Sequence, residues 1–337
     1  MKLYAGIDLH SNNHVLTIID AEDKKVFEKR LPNQLDHTLC ALKPYQADLQ
    51  AIAVESTFNW YWLVDGLQEA GYSMRLVNTS AVKQYEGIKH TDDQYDAFWL
   101  AHLMRLGILP SGYIYPKEER AVRDLMRKRM QLVQNKTAHV LSLQNQYWRS
   151  LGIKLKSVDI QRDPSEAFKQ IQDANVLLAL ESNQAIIQAL QKQIQLLEKK
   201  IKQQCQMKPA FKSLHTVYGI GDILALTIML ETGDIQRFAS VGDYASYCRC
   251  VDSKKTSNGK KKGEGNRKNG NQYLAWAYVE AAYHAQRFYE PAKRFFQRKQ
   301  AKRNSIVATK ALAHKLARAS FFVMRDQVPF DPTRLFS

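Results

Sequence analysis

Residues 3–10 read LYAGIDLH, residues 14–20 read HVLTIID and residues 25–31 read KVFEKRL. The first two runs are apolar and β-branched and are separated by the polar turn Ser11-Asn12-Asn13. The third follows Glu22-Asp23, so the three predict an antiparallel meander. Farther along, residues 34–45 have helical periodicity, and DLQAIAVES (48–56) makes a fourth strand ending at Glu55. Residues 58–70 predict an aromatic-rich helix, with Trp60, Tyr61 and Trp62 suited to core packing. MRLVN (74–78) is a fifth strand.

Three strands followed by helix, strand, helix, strand and helix is the order of a ribonuclease-H-like α/β sheet. The pattern then becomes helical over residues 117–148 and again over 165–204. In the second stretch Ile187, Leu190, Ile194, Leu197 and Ile201 are spaced 3-4-3-4, with Leu180 one heptad earlier. This spacing fits a coiled-coil seam that joins subunits. It also fits an ordinary helix packed on its own domain, since Asn183 occupies one expected apolar position. The expected divisions are an RNase H-like domain over 1–112, a helical coiled-coil connector over 113–206 and a mainly helical C-terminal domain over 207–337.

The 337 residues carry 49 Lys and Arg against 33 Asp and Glu, a net charge of +16 that favours a polyanionic partner. The charge is concentrated. Between Ser253 and Lys310 stand fifteen Lys or Arg and three acids (Glu264, Glu280 and Glu290), whereas the N-terminal third is close to balanced. No apolar run reaches membrane-spanning length, and Met1-Lys2 leads straight into a strand. Cys40, Cys205, Cys248 and Cys250 lack paired zinc-ligand spacing and read as reduced thiols, so the expected compartment is the cytoplasm.

Asp8 sits near the end of the first strand and Glu55 at the end of the fourth; if those strands adjoin, both carboxylates emerge at one sheet edge. In HTDDQYDAFWLAHL (90–103), Asp93 and Asp96 are three apart and share a helix face, while Asp92 points about 100° away. Four acids meeting at one place repel unless a cation neutralises them, and two Mg²⁺ ions would also clamp the attacking and leaving oxygens of a phosphodiester. Singly, each acid could instead stabilise a turn or a helix N-terminus. His10 and His90 receive no role from the sequence.

The segment from Ser253 to Gly270 holds seven Lys or Arg, one Glu and four glycines. Lys254, Lys255, Lys260, Lys261, Lys262, Arg267 and Lys268 could neutralise nucleic-acid phosphates; the alternative is a flexible basic tether. No Walker loop occurs. Upstream, Gly219-Ile220-Gly221 precedes an apolar helix, as in a helix–hairpin–helix whose backbone amides hold a DNA phosphate.

GIDLH with Asp8, VEST with Glu55, TDDQYDA with Asp93 and Asp96, YGIG ahead of a helix, and CRCVDSKKTSNGKKKGEGNRKNGN occur in order along the chain. By these motifs it resembles the DEDD transposases of the IS-one-ten family, more closely the IS-eleven-eleven branch, to which the pilin-gene invertase Piv is related. The resemblance implies a RuvC-like domain joined through a coiled coil to a transposase domain bearing a catalytic serine. It further implies that Asp8, Glu55, Asp93 and Asp96 hold Mg²⁺, and that a serine forms a phosphoserine link with DNA. A structured guide RNA would pair with element-end and target DNA. Matching the family's Ser-Ser-Gly-Gly-Lys stretch to Thr256-Ser257-Asn258-Gly259-Lys260 selects Ser257, with Ser253 as the alternative; the TDxxDA spacing selects Asp93 over Asp92.

Strand exchange requires several active sites, so a homodimer or homotetramer is expected. Three other readings compete. A RuvC-like junction nuclease would use the same acids with a metal-activated water and no serine. An actin-like kinase would need a later phosphate loop, which the sequence lacks. A nucleic-acid-binding module would make the acids structural.

Overall fold

In the computed structural model, which describes residues 1–78, 92–251, 255–263 and 269–336, the meander is β1 (Leu3–Leu9), β2 (Asn13–Ile19) and β3 (Lys25–Pro32). Helix α1 (Leu35–Leu42) ends in a 3-10 turn where Pro44 enters, and β4 (Leu49–Glu55), α2 (Tyr61–Glu69) and β5 (Met74–Val77) follow. Next come α3 (Asp93–Arg105) and a short edge strand, β6 (Ser111–Gly112), that the sequence did not announce. The sheet order is β3-β2-β1-β4-β5-β6. Strand β1 runs antiparallel to β2 and parallel to β4, which is parallel to β5. This six-stranded mixed sheet is consistent with an RNase H-like domain.

Both faces of β1 are covered, which explains its nearly continuous apolar run. Leu3, Ala5, Ile7 and Leu9 point into a core with Leu63, Val64 and Leu67 of α2. Alternation puts Gly6 and Asp8 on the opposite face, where α3 lies. Trp60 is buried in the first core, as its apolar context predicts. His14 is also buried, with Nδ1 3.0 Å from Asn33 Oδ1 and Nε2 3.1 Å from Thr38 Oγ1, an internal polar residue with both nitrogens engaged.

Chain contacts define two units, Met1–Lys117 and Glu118–Ser337. The second contains α4 (Lys117–Leu151) almost entirely, then α5 (Ser157–Arg162), α6 (Ser165–Phe168) and α7 (Ala174–Cys205). The single helix expected from residue 165 is interrupted. Phe168 and Ile171 turn into a core, and Asp173 restarts the helix by accepting hydrogen bonds from the amides of Asn175 and Val176.

Helices α4 and α7 are linked as an antiparallel pair by Arg129–Glu198 (2.7 Å), Lys136–Gln191 (3.4 Å) and His139–Asn183 (2.9 Å). Within this unit Leu180, Ile187, Ile194 and Ile201 of the heptad stripe are buried. Leu180 and Ile187 pack with Val140, Leu143 and Tyr147 of α4, and Ile201 shares a core with Met126. Asn183, the polar interruption, bonds His139.

The remaining elements are α8 (Pro209–Leu214), α9 (Asp222–Thr232), α10 (Val241–Tyr247), the hairpin β7 (Lys255–Ser257) and β8 (Lys260–Gly263), α11 (Gln272–Phe288), α12 (Glu290–Lys302), α13 (Ser305–Asp326) and α14 (Thr333–Phe336). Helix α9 is buried on every side from Leu224 to Thr232 and forms the centre of this bundle. No helix among the described residues is long and apolar enough to cross a membrane. The four cysteines are unpaired.

Candidate active site

Strand register pairs Ile7 with Val54, so Asp8 and Glu55 come next on adjacent parallel strands, at their C-terminal ends. Asp93 and Asp96 lie in the first turn of α3, where the helix dipole favours acids. Asp92 does something else: it caps α3, accepting the Tyr95 amide at 2.8 Å. Its carboxylate is thereby committed to the helix backbone.

The four carboxylates sense one another. Asp8 is buried, and its carboxyl is pushed up to about 6, chiefly by burial, with Asp96 and Asp93 adding to the rise and His10 and Arg30 opposing it. Burial also raises Glu55, with Asp8 and Asp96 adding to the effect. Asp93 is held below the usual carboxylate range, chiefly by its hydrogen bond from Arg30 Nη2 at 2.5 Å.

Two residues at this edge had no sequence assignment. His10 Nε2 lies 3.3 Å from Asp8 Oδ2 and 3.2 Å from Asp93 Oδ2. Arg30 reaches Asp93 from β3 and also donates to Asn13 Oδ1 at 2.6 Å. The His10 carbonyl accepts from Asn33 Nδ2 at 3.0 Å and Asn59 Nδ2 at 2.9 Å, fixing the turn after β1. The signal for His10 was local, since it lies two residues beyond Asp8. Arg30 becomes visible only once β3 is paired with β2.

Asp8, His10 and Asp93 each offer a ligand atom, and those atoms lie within 4.8 Å of one another. Like-charged groups held together and partly desolvated, with one carboxyl raised toward neutrality, make a donor set that fits a divalent cation. The carboxylates suit Mg²⁺ or Mn²⁺, and an imidazole widens the set toward softer metals.

In the second unit, Ser257 is exposed and is the last residue of β7, paired in register with Lys260. Between them Asn258 (φ 51°) and Gly259 (φ 70°) form a two-residue turn with both residues left-handed. Asn258 therefore fills a position that also suits glycine, because asparagine tolerates this conformation better than other side chains. The Asn258-Gly259 pair is a hairpin signal in its own right, set within a stretch whose Gly- and Lys-rich composition otherwise reads as a basic loop. Lys260 and Lys262 are exposed, while Lys255 and Lys261 contribute backbone to the ribbon. Ser253, Lys254, Arg267, Lys268 and His90 lie outside the described residues.

The ribbon is tethered at its base. Arg249 donates through Nε and Nη2 to the Gly270 carbonyl at 3.1 and 2.8 Å. Asn271 caps α11 and donates to the buried Glu231 at 2.7 Å. Glu231 also receives a bidentate pair from Arg127 at 2.6 and 2.8 Å.

Gly219 (φ 90°) packs against α11: a Cβ there would lie 2.4 Å from the Ala281 carbonyl oxygen. Gly221 is the N-cap of α9 and faces open space. A cleft of about 570 Å³ lies along residues 215–224 and His284. Asp222 opens α9 and is paired with Lys202 and His215.

Residues 5–147 match a DEDD family model described as a transposase, and residues 212–297 match the family described as Transposase IS116/IS110/IS902. No curated protein matches the chain.

Proposed function

The chain belongs to the IS110 family of DEDD transposases, and on that premise we propose that it recombines DNA through Mg²⁺-binding carboxylates and a serine nucleophile, with a structured RNA directing the choice of site. The observation that carries the reading is the grouping of Asp8 and Asp93 with His10, ligand atoms within 4.8 Å of one another. Glu55 and Asp96 are near enough for the acids' repulsion to add to burial in raising the Asp8 and Glu55 carboxyls and to favour a cation.

In this reading Asp8, Glu55, Asp93 and Asp96 hold the metal, with His10 beside them. A bound Mg²⁺ pair would supply charge neutralisation at the attacking and leaving oxygens. Asn33 and Asn59 hold the His10 turn. Arg30 balances Asp93 from within the chain.

Ser257 Oγ attacks phosphorus; a serine–phosphate ester forms as the strand's P–O bond breaks, and the leaving oxygen takes up a proton. A hydroxyl of the exchanged strand then attacks that ester, restoring the serine and one phosphodiester. Ser257 is supported by its exposed position beside a two-residue turn, opposite Lys260. Lys254, Lys255, Lys260, Lys261, Lys262, Arg267 and Lys268 neutralise phosphates, and Gly219 and Gly221 shape a backbone contact with DNA. Functionally the chain divides into a DEDD domain over 1–112, a connector over 113–206 and a serine-bearing domain over 207–337, acting as a dimer or tetramer.

The test is a covalent trap. Protein, RNA from the flanking element and labelled junction DNA are mixed with Mg²⁺ and run under denaturing conditions. A protein–DNA band present in the wild type and lost in both Ser257→Ala and Asp93→Asn is expected. Cleavage without such a band, unaffected by Ser257→Ala, would mean a metal-dependent junction nuclease.

A further inference from the structure

From Pro291 to Arg325 the chain has ten Lys or Arg and no Asp or Glu. These residues build most of the α12–α13 helical hairpin. Several cations converge on one side of it. Arg298, Lys299 and Lys315 lie 5.9, 5.7 and 5.2 Å from the Phe295 ring centre. The Lys315 ammonium is depressed by burial and by Arg318, Arg298 and Lys299; His314 is depressed by burial and by Arg318 and Lys315. These cations repel one another, and a bound anion relieves that repulsion.

Of these, His314, Lys315 and Arg318 line a cleft of about 590 Å³ between α13 and the C-terminal segment, and Arg298 and Lys299 stand beside Lys315 around the Phe295 ring. Its walls include Phe322, Val323, Pro329 and Phe330, and Phe322 is 40% exposed. The far wall is anchored: Lys315 Nζ donates to the Leu335 carbonyl at 2.6 Å, and the Phe330 amide donates to Thr216 Oγ1 at 2.7 Å. Two acids also line the cleft, and both are engaged. Asp326 pairs with Arg325 at 2.7 Å, and Asp331 accepts from Thr333.

An apolar cleft with an aromatic wall and a cationic lip has the two parts that an unpaired nucleotide needs. We propose that this α13 cleft binds an unpaired nucleotide of a nucleic-acid strand, with its base against Phe322 and the flanking phosphates on Lys299 and Arg318. The proposal rests on the reading that the chain handles nucleic acid, but not on the serine chemistry. It adds a strand-holding site remote in sequence from both the carboxylates and Ser257.

The test uses the full chain and labelled oligothymidylate and oligouridylate of about 15 nucleotides, with a duplex of equal length as control. Phe322→Ala is expected to weaken single-strand binding roughly tenfold at unchanged salt dependence, and Phe322→Tyr to restore it. Lys299→Gln with Arg318→Gln is expected to lower the slope of log affinity against log salt by about 1.4, or roughly 0.7 per lost phosphate contact. A response confined to the thymidylate or to the uridylate supports the site and identifies the strand as DNA or RNA. Unchanged single-strand affinity in Phe322→Ala, or equal weakening on the duplex, overturns it. Protection of Phe322 from hydroxyl-radical oxidation by the oligonucleotide gives a readout on the wild type alone, and absence of protection also overturns the proposal. Because Ser257→Ala leaves this binding intact, failure of the serine mechanism and failure of the cleft are told apart.

Discussion

Gly6 of β1 lies directly under the Ala97 carbonyl of α3: a Cβ on Gly6 would fall 2.0 Å from that oxygen and 2.8 Å from the Ala101 nitrogen. Helix and strand therefore touch through backbone. The contact is two residues from Asp8 and four from Asp93, so the spacing of the carboxylates is set by a missing methyl group.

Gly6→Ala should lift α3 from the sheet and separate Asp8 from Asp93. Overpacking of this kind costs about 1–3 kcal/mol. Thermal unfolding should register that loss, while Mg²⁺ titration and strand cleavage fall further than stability does. Unaltered metal affinity in a folded Gly6→Ala protein would contradict the geometry.

Asp8→Asn removes a buried charge crowded by other acids, so metal-free protein should be at least as stable as wild type in differential scanning calorimetry. Activity should drop by about 100-fold or more, and the stabilisation that Mg²⁺ gives the wild type should disappear. Arg30→Gln makes the converse case: with Asp93 less neutralised, the metal-free fold should loosen while the dependence on added Mg²⁺ grows.

The far end of α3 is tied to the β2–β3 turn, where Asp23 accepts from Arg105 at 2.6 and 2.5 Å and lies 2.8 Å from His102 Nδ1. Burial raises the Asp23 carboxyl, but those bonds outweigh it and hold its pKa below the ordinary 3.8. A depressed acid stabilises the fold above its unfolded pKa and loses that contribution as pH falls through the lower folded value. Urea midpoints should accordingly fall below about pH 4 more steeply in the wild type than in Asp23→Asn.

Glu231 is 3% exposed and satisfied by Arg127 and Asn271. Glu231→Ala leaves a partly buried guanidinium without its partner, which should cost about 3–5 kcal/mol in chemical denaturation. Asn271→Ala should cost less but impair recombination more, because Asn271 also caps the helix leading out of the basic ribbon.

At the ribbon's tip, Asn258→Gly should preserve the covalent DNA adduct. Asn258→Val, which must hold a β-branched residue at positive φ, should reduce the adduct at a cost of about 1–2 kcal/mol in the turn. Equal adduct yields from the two variants would separate Ser257 from this turn.

The strands β1 to β5 and their alternation with helices were legible because β1, β2, β4 and β5 are apolar runs of strand length, whereas the edge strand β6 is too short to leave a pattern. The neighbourhood of Asp8 and Glu55 followed from their strand ends on the condition that β1 and β4 adjoin, which their pairing meets. Arg30 was not legible: only the pairing of Val15 with Arg30 brings that side chain to the edge where Asp93 stands. Nor could the heptad pattern of α7 say what covers it, since a buried stripe has one period whether its partner is α4 of the same chain or another copy. The Asn258-Gly259 turn was locally legible but obscured by polar flanks that lack the usual alternation. Gly219 illustrates a different limit, because a glycine required by close packing on α11 and one required by a ligand read alike in sequence.

The enclosure of the α7 stripe by α4 also bears on how copies of this chain can associate. A zipper formed through Leu180, Ile187, Ile194 and Ile201 would first have to release α4, breaking Arg129–Glu198 and His139–Asn183. Association along that stripe would therefore be a domain swap, in which the helix of one copy takes the place of α4 in another. Its rate would follow the opening of the helical pair rather than diffusion, and once formed it would persist after dilution.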